Sequence, residues 1–207
     1  MTDDPFRILV VCTGNICRSP LAAAVLRDAL AEIAPGGFAV ESAGTNALVG
    51  EPAQPEAVAI AAGLGSTLEG FEARQLTEGM IERADLVLTL AERHRSSVLR
   101  LYPALKRTFT VREFSRLLGA LPTDESEHAM AKDGEPRGAW RHLVARAWEA
   151  KTAAGSTVQA NPEDDVVDPY RLGPEVWAQM SDELVPALEA IFGRADLIAR
   201  GRSPRRN

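Results

Sequence analysis

Cys12 and Arg18 are the residues whose types and spacing point to chemistry. The segment Val10-Val11-Cys12-Thr13-Gly14-Asn15-Ile16-Cys17-Arg18-Ser19-Pro20 sets a cysteine, five residues and an arginine between an apolar run and a predicted helix. Pro20 fits the first turn of that helix, where a missing N–H carries no penalty. A strand, loop and helix in this order form an anion trap. Backbone N–H groups from Thr13 to Ser19 can converge on one point, and the helix N-terminus adds partial positive charge. Gly14 permits the tight backbone path. Converging donors favour a thiolate at Cys12, and Ser19 is placed to give it a hydroxyl proton. The planar fork of Arg18 matches two phosphate oxygens, and equally the flattened PO₃ of an in-line transfer. A thiolate facing a phosphoryl group implies a phosphocysteine intermediate. A cysteine at a strand end is by itself more often an inert core residue. The arginine after the loop and the helix that follows turn the reading toward a nucleophile.

Such a transfer needs an acid for the leaving oxygen and later a base for water. Asp164-Asp165-Val166-Val167-Asp168-Pro169-Tyr170 supplies Asp168, which the following proline biases to extended backbone. Most Asp-Pro pairs are turns, and only its partnership with Cys12 makes Asp168 the candidate acid. Tyr170 is either core or a wall that stacks on an aromatic ring. Cys12 and Cys17 are a poor zinc pattern with no histidine nearby, so no metal and no cofactor are expected. His94, between Arg93 and Arg95, reads as a solvated surface residue. His128 and His142 have no second ligand at metal spacing and receive no role. The Gly-Lys-Ser/Thr of a nucleotide-binding loop is missing from the 12–18 segment.

The elements that must hold these residues follow from pattern. Residues 7–12 are apolar almost throughout, as in a strand buried on both faces of a parallel sheet. Further strands are predicted at 37–42, 84–90 and 107–111, with helices from Ser19, at 55–64 and at 91–101. Strands alternating with helices imply βαβ units under two helical layers. Residues 119–138 and 153–168 are polar and read as loops. Trp140, Leu143, Val144, Ala147 and Trp148 mark an amphipathic helix, and a long helix is predicted from Pro174 to Phe192. The Trp140, Trp148 and Trp177 stripes read as core. One domain is expected over 1–195, with a basic, disordered tail over 196–207.

The 207 residues are 45% hydrophobic and 25% charged, with a net charge of −6. That balance argues against a nucleic-acid binder. The start lacks a basic n-region, and no run approaches the ~20 apolar residues of a membrane span, so no membrane insertion is expected. Two cysteines without a disulfide framework make a reducing, cytoplasmic setting the default.

The residues resemble the low-molecular-weight protein-tyrosine phosphatase family over roughly 6–112 and 163–192. Val11-Cys12-Thr13-Gly14-Asn15-Ile16-Cys17-Arg18-Ser19-Pro20 is similar to that family's phosphate loop. Ser42-Ala43-Gly44-Thr45, Ala73-Arg74-Gln75-Leu76-Thr77 and Asp168-Pro169-Tyr170 resemble its later segments. Ala47-Leu48-Val49-Gly50 and Asp168-Pro169-Tyr170-Arg171 look like the bacterial branch linked to tyrosine autokinases of exopolysaccharide export. The resemblance implies a flavodoxin-like, three-layer α/β fold with a four-stranded parallel sheet. It implies Cys12 as nucleophile, Arg18 as phosphate clamp, Asp168 as general acid, and a phosphotyrosine protein as substrate. Asn15 and Ser42 would brace the loop, Ser19 would support the thiolate, and Leu48 and Tyr170 would line the pocket mouth. Cys17 would be able to form a reversible disulfide with Cys12. Phe71 stands where the family often has a bracing histidine. Arg171 replaces a second aromatic of many members and would favour an acidic peptide. The 113–160 segment is longer than the family's, an extra helical insertion read as an extension of the core.

Two other functions fit the same loop. An arsenate reductase would bind its oxyanion there, but the thioredoxin-coupled kind uses further cysteines, and residues 84–207 contain none. A non-catalytic phosphate-binding regulatory module would need neither Cys12 nor Asp168.

Overall fold

The apolar run at the start of the chain becomes the central strand. In a computed structural model, which describes residues 4–132, 136–153 and 161–200, β1 (Phe6–Cys12) pairs in parallel with β2 (Phe38–Gly44) on one side and with β3 (Leu86–Thr89) on the other. β4 (Thr108–Thr110) adds to β3, giving the all-parallel order β2-β1-β3-β4. Every β1 residue except Arg7 is buried, because both faces of the sheet are covered. The two faces alternate along the strand. Ile8, Val10 and Cys12 enter one core with Leu21, Leu26, Phe109, Trp140, Leu184 and Leu188. Leu9 and Val11 enter a second with Ile81 and Val98. α1 (Arg18–Ile33), α2 (Pro55–Gly63), α7 (Pro136–Ala153) and α8 (Pro174–Arg200) contribute to the first core; α3 (Glu78–Arg83) and α4 (Glu92–Leu101) contribute to the second. The result is a flavodoxin-like three-layer fold. From β1 the chain runs to β2 on one side, then crosses to β3 on the other. The crevice beyond the carboxyl ends of β1 and β3 is where such sheets bind ligands, and Cys12 ends β1 at that crevice.

The predicted loop at 119–138 is a correction. α5 (Val111–Ala120) continues through Ala120, α6 (Glu125–Lys132) occupies much of it, and α7 starts at Pro136. Composition misleads here because α6 is held by pairs distant in sequence. Glu127 is fully buried, with Arg146 2.7 Å from one oxygen and Arg194 3.2 Å from the other. Trp140 and Trp177 are buried, and Trp148 packs half-buried against the same core. Trp140 lies 5.6 Å from the Phe6 ring and 5.3 Å from the Phe38 ring, centroid to centroid. α8 runs to Arg200, five residues into the predicted tail; residues 201–207, and 154–160 of the second predicted loop, lie outside the described residues. No helix among the described residues is long and apolar enough to cross a membrane.

Candidate active site

Asn15 organises the loop that follows β1. Its φ of 56° is left-handed, a conformation that Asn tolerates better than most residues, and it turns the chain back over Cys12. The Asn15 N–H donates to Cys12 Sγ at 3.3 Å. Its buried amide donates to Ser19 Oγ at 2.8 Å and to Ser42 Oγ at 2.9 Å, and its carbonyl oxygen accepts from the Arg74 N–H at 2.9 Å. Every side-chain bond therefore ends on β2, α1 or the 72–76 strap. Ser19 Oγ lies 3.0 Å from Cys12 Sγ. With Asn15 already donating to that hydroxyl, its proton is available to the sulfur. The neighbouring 45–48 loop is stitched on by Asn46 N–H to Thr13 O and Leu48 N–H to Gly14 O, both at 3.0 Å. Phe71, where a bracing histidine is common in the resembling family, packs half-buried against the core; Arg74 and Asn15 carry the bracing instead.

Gly44 lies opposite Cys12 in the β1–β2 register. A Cβ there would press into the Thr13 carbonyl oxygen and stand 3.0 Å from the Ala47 backbone. Neither backbone can yield without moving the loop. Gly44→Ala is therefore expected to weaken inorganic phosphate binding at least roughly tenfold and to lower the melting temperature by several degrees. Competitive inhibition and thermal melting check both.

The second half of the site comes from residues 164–170, pinned at each step. Arg116 pairs with Asp164 at 2.7 Å and Arg112 donates to the Asp165 carbonyl at 3.1 Å. Asp165 accepts from the Glu92 N–H at 2.7 Å, serving an unpaired donor at the head of α4. Val166 N–H donates to Leu90 O at 2.9 Å, and Val167 N–H to Glu183 Oε2 of α8 at 2.7 Å. Arg18 donates to Val166 O at 3.0 Å and also pairs with Asp168. Arg93 approaches the same Asp168 oxygen at 3.3 Å. Arg18 is buried, and its Nε has no protein partner. Burial lowers its pKa from the ordinary value, opposed by the nearby charges of Cys12 and Asp168.

These halves enclose a cavity of about 160 Å³ lined by Cys12, Thr13, Gly14, Ile16, Cys17, Arg18, Asn46, Leu48, Asp168 and Tyr170. The fold thus brings together residues from positions 12–18, 46–48 and 168–170. Both cysteines are free thiols. Burial, then the Cys12 charge, pushes the Cys17 thiol up to about 12, so it stays protonated and is a poor rival nucleophile. Arg171 does not line the cavity. Its φ of 61° turns it away, and its guanidinium lies 5.0 Å from the Tyr170 ring centroid, on the outside of that wall.

Similarity now decides the family. The sequence model of low molecular weight phosphotyrosine protein phosphatases matches residues 7–127, more than half of the chain. The chain belongs to that family. Asp168 lies beyond the matched stretch. The probable low molecular weight protein-tyrosine-phosphatase EpsP of Ralstonia solanacearum is 44% identical over 97 residues, 47% of this chain. The match spans 63% of the length of EpsP. The low molecular weight protein tyrosine phosphatase of T. tengcongensis superposes with a TM-score of 0.62 at 27% identity, covering 91% of this chain and 98% of that one. The YwlE arginine phosphatase of Geobacillus stearothermophilus shares the fold, with a TM-score of 0.64 at 24% identity over 98% of this chain and 100% of its own.

His94 corrects the sequence reading. Flanking arginines make it look solvated, yet it is buried, with Nε2 2.8 Å from Thr13 Oγ1. Arg93, Asp165 and Glu183 are likewise silent in the sequence, since each acts on a partner more than ten positions away. Burial, with the charges of Arg18 and Arg93, lowers the His94 pKa from 6.5 to about 3. The folded protein therefore refuses a proton that the unfolded chain accepts. His94 carries no penalty above pH 6.5, and stability falls as pH drops from 6.5 toward 3, by up to about 1.4 kcal/mol per unit. Denaturant melts of wild type and His94→Gln at pH 7 and pH 4.5 should show the gap between them narrowing on acidification.

The fold also gathers Asp124, Glu127 and His142, whose ligand atoms lie within 4.8 Å of one another. Sequence spacing offered His142 no such company. Arg146 and Arg194 already occupy both Glu127 oxygens, so the cluster acts as an ion-pair lock among α6, α7 and α8.

Proposed function

We propose that this chain is a protein-tyrosine phosphatase that works through a phosphocysteine intermediate. The observation that carries the reading is one cavity holding Cys12, Arg18 and Asp168. The phosphoryl group sits in the 12–18 loop, with Arg18 Nε and the loop amides as donors. Cys12 Sγ attacks phosphorus in line as the tyrosine oxygen departs, and Asp168 gives that oxygen a proton. Asp168, now ionised, takes a proton from water, whose oxygen displaces sulfur and releases inorganic phosphate. Ser19 and the Asn15 N–H steady the thiolate on both passages.

Ile16, Leu48 and Tyr170 give the cavity apolar walls, which suit an aromatic ring and leave a phosphoserine stem largely uncontacted. The Ala47-Leu48-Val49-Gly50 and Asp168-Pro169-Tyr170-Arg171 segments support a bacterial tyrosine autokinase as the phosphoprotein. A nucleophilic thiol and two free cysteines suit a reducing cytoplasm. The catalytic unit we propose is one domain over 1–195, supported by a core that joins β1 to α8.

Burial of a tyrosine ring predicts roughly a hundredfold higher kcat/KM for a phosphotyrosyl peptide than for its phosphoseryl twin. Equal turnover of the two would overturn the tyrosine assignment, and preferential turnover of a phosphoarginyl peptide would replace it.

A further inference from the structure

One hydrogen bond at the site has no part in the steps above. His94, on α4, is 1% exposed, and its Nε2 lies 2.8 Å from the hydroxyl of Thr13. Its other ring nitrogen, Nδ1, is buried and has no hydrogen-bond partner. That asymmetry selects a tautomer. A buried N–H without an acceptor is rarer and more costly than an unmet lone pair. The proton of the neutral ring therefore belongs on Nε2, and Nε2–H donates to Thr13 Oγ1. The ring remains neutral because burial and the charges of Arg18 and Arg93 oppose a second proton.

A hydroxyl oxygen that accepts one hydrogen bond still has its own proton to give. Thr13 Oγ1 has no second protein partner among the described residues, and Thr13 lines the cavity beside Cys12 and Arg18. We infer that His94 is a positioning residue that orients the Thr13 hydroxyl so that it donates to the bound phosphoryl group, in addition to the loop amides and Arg18. The inference rests on the phosphatase reading and deepens it. It assigns Thr13 a side-chain role in anion binding and gives His94 a role through Thr13 alone, with no contact to substrate.

The test uses inorganic phosphate as a competitive inhibitor of aryl phosphate hydrolysis by the full chain. Thr13→Val keeps the shape and removes the donor, so phosphate should bind roughly tenfold more weakly, the worth of one hydrogen bond to a charged group. Thr13→Ser should recover most of that loss. His94→Leu should lose about as much as Thr13→Val, and the double variant no more than either alone, because both act through one proton. Losses that add, or a Thr13→Val protein with wild-type phosphate affinity, would overturn the inference. Nitrogen-15 spectra of the wild-type histidines give an answer that needs no variant. His94 should show a protonated Nε2 and a bare Nδ1, and the opposite tautomer would sink the idea. A wild-type protein that neither binds phosphate nor hydrolyses aryl phosphates would instead bring down the phosphatase reading itself.

Discussion

Cys12→Ser is expected to lower hydrolysis of p-nitrophenyl phosphate by roughly four orders of magnitude or more, while leaving inorganic phosphate binding within a few-fold of wild type. The two halves of that expectation have separate causes. Turnover needs a strong nucleophile, and a serine hydroxyl in the same place is a far weaker one than a cysteine sulfur. Binding needs the loop amides, the helix N-terminus and Arg18, none of which the substitution touches. The Asn15 brace runs through Ser19 and Ser42, so the loop should keep its shape. Steady-state rates with calorimetric phosphate binding check both halves. Rapid acid quench of the wild type should trap phosphate on Cys12 and trap none on the variant. A serine variant that retained even one per cent of wild-type turnover would remove the phosphocysteine step from the mechanism.

The second large effect concerns Asp168. Asp168→Asn is expected to slow a phosphotyrosyl peptide by roughly 10²–10⁴-fold, and to slow an aryl ester of a much more acidic phenol far less. A phenol with tyrosine's pKa of about 10 leaves poorly as an anion and needs its proton early. An acidic phenol leaves unaided. The slope of rate against leaving-group acidity should therefore be shallow in wild type and steep in the variant. Parallel slopes would show that Asp168 gives no proton in the transition state and would reduce it to a partner of Arg18. Asparagine keeps the size and the acceptor that receives the Tyr170 N–H at 3.3 Å, so the loop itself should survive the change.

The sequence made the sheet readable and the helical layer beneath it less so. Residues 7–12 suited a strand covered on both faces, and the loop and helix that follow them were marked by glycine, arginine and Ser-Pro in order. Leu48 and Tyr170 lie in the cavity wall. Arg171 does not, because a left-handed backbone at that residue sends it behind the tyrosine ring, and no residue type in Asp168-Pro169-Tyr170-Arg171 announces that turn. α6 was lost among acidic residues because the guanidiniums that make Glu127 tolerable in the interior lie 19 and 67 positions away. His94 was missed for a similar reason. Local charge suggested solvent, whereas its partner, Thr13, is 81 positions earlier.

The pairing of Asp168 with Arg18 has a consequence for which anions the cavity would hold. The cavity holds its own carboxylate beside Arg18, tethered by the chain at an effective concentration of at least millimolar order. Chloride, acetate and other singly charged anions are expected to gain little over that carboxylate at Arg18. A phosphoryl dianion brings twice the charge and three oxygens for the waiting amides. On the proposed phosphatase reading, the Asp168 carboxylate would act as a built-in competitor that weak anions displace poorly and a phosphoryl dianion displaces well.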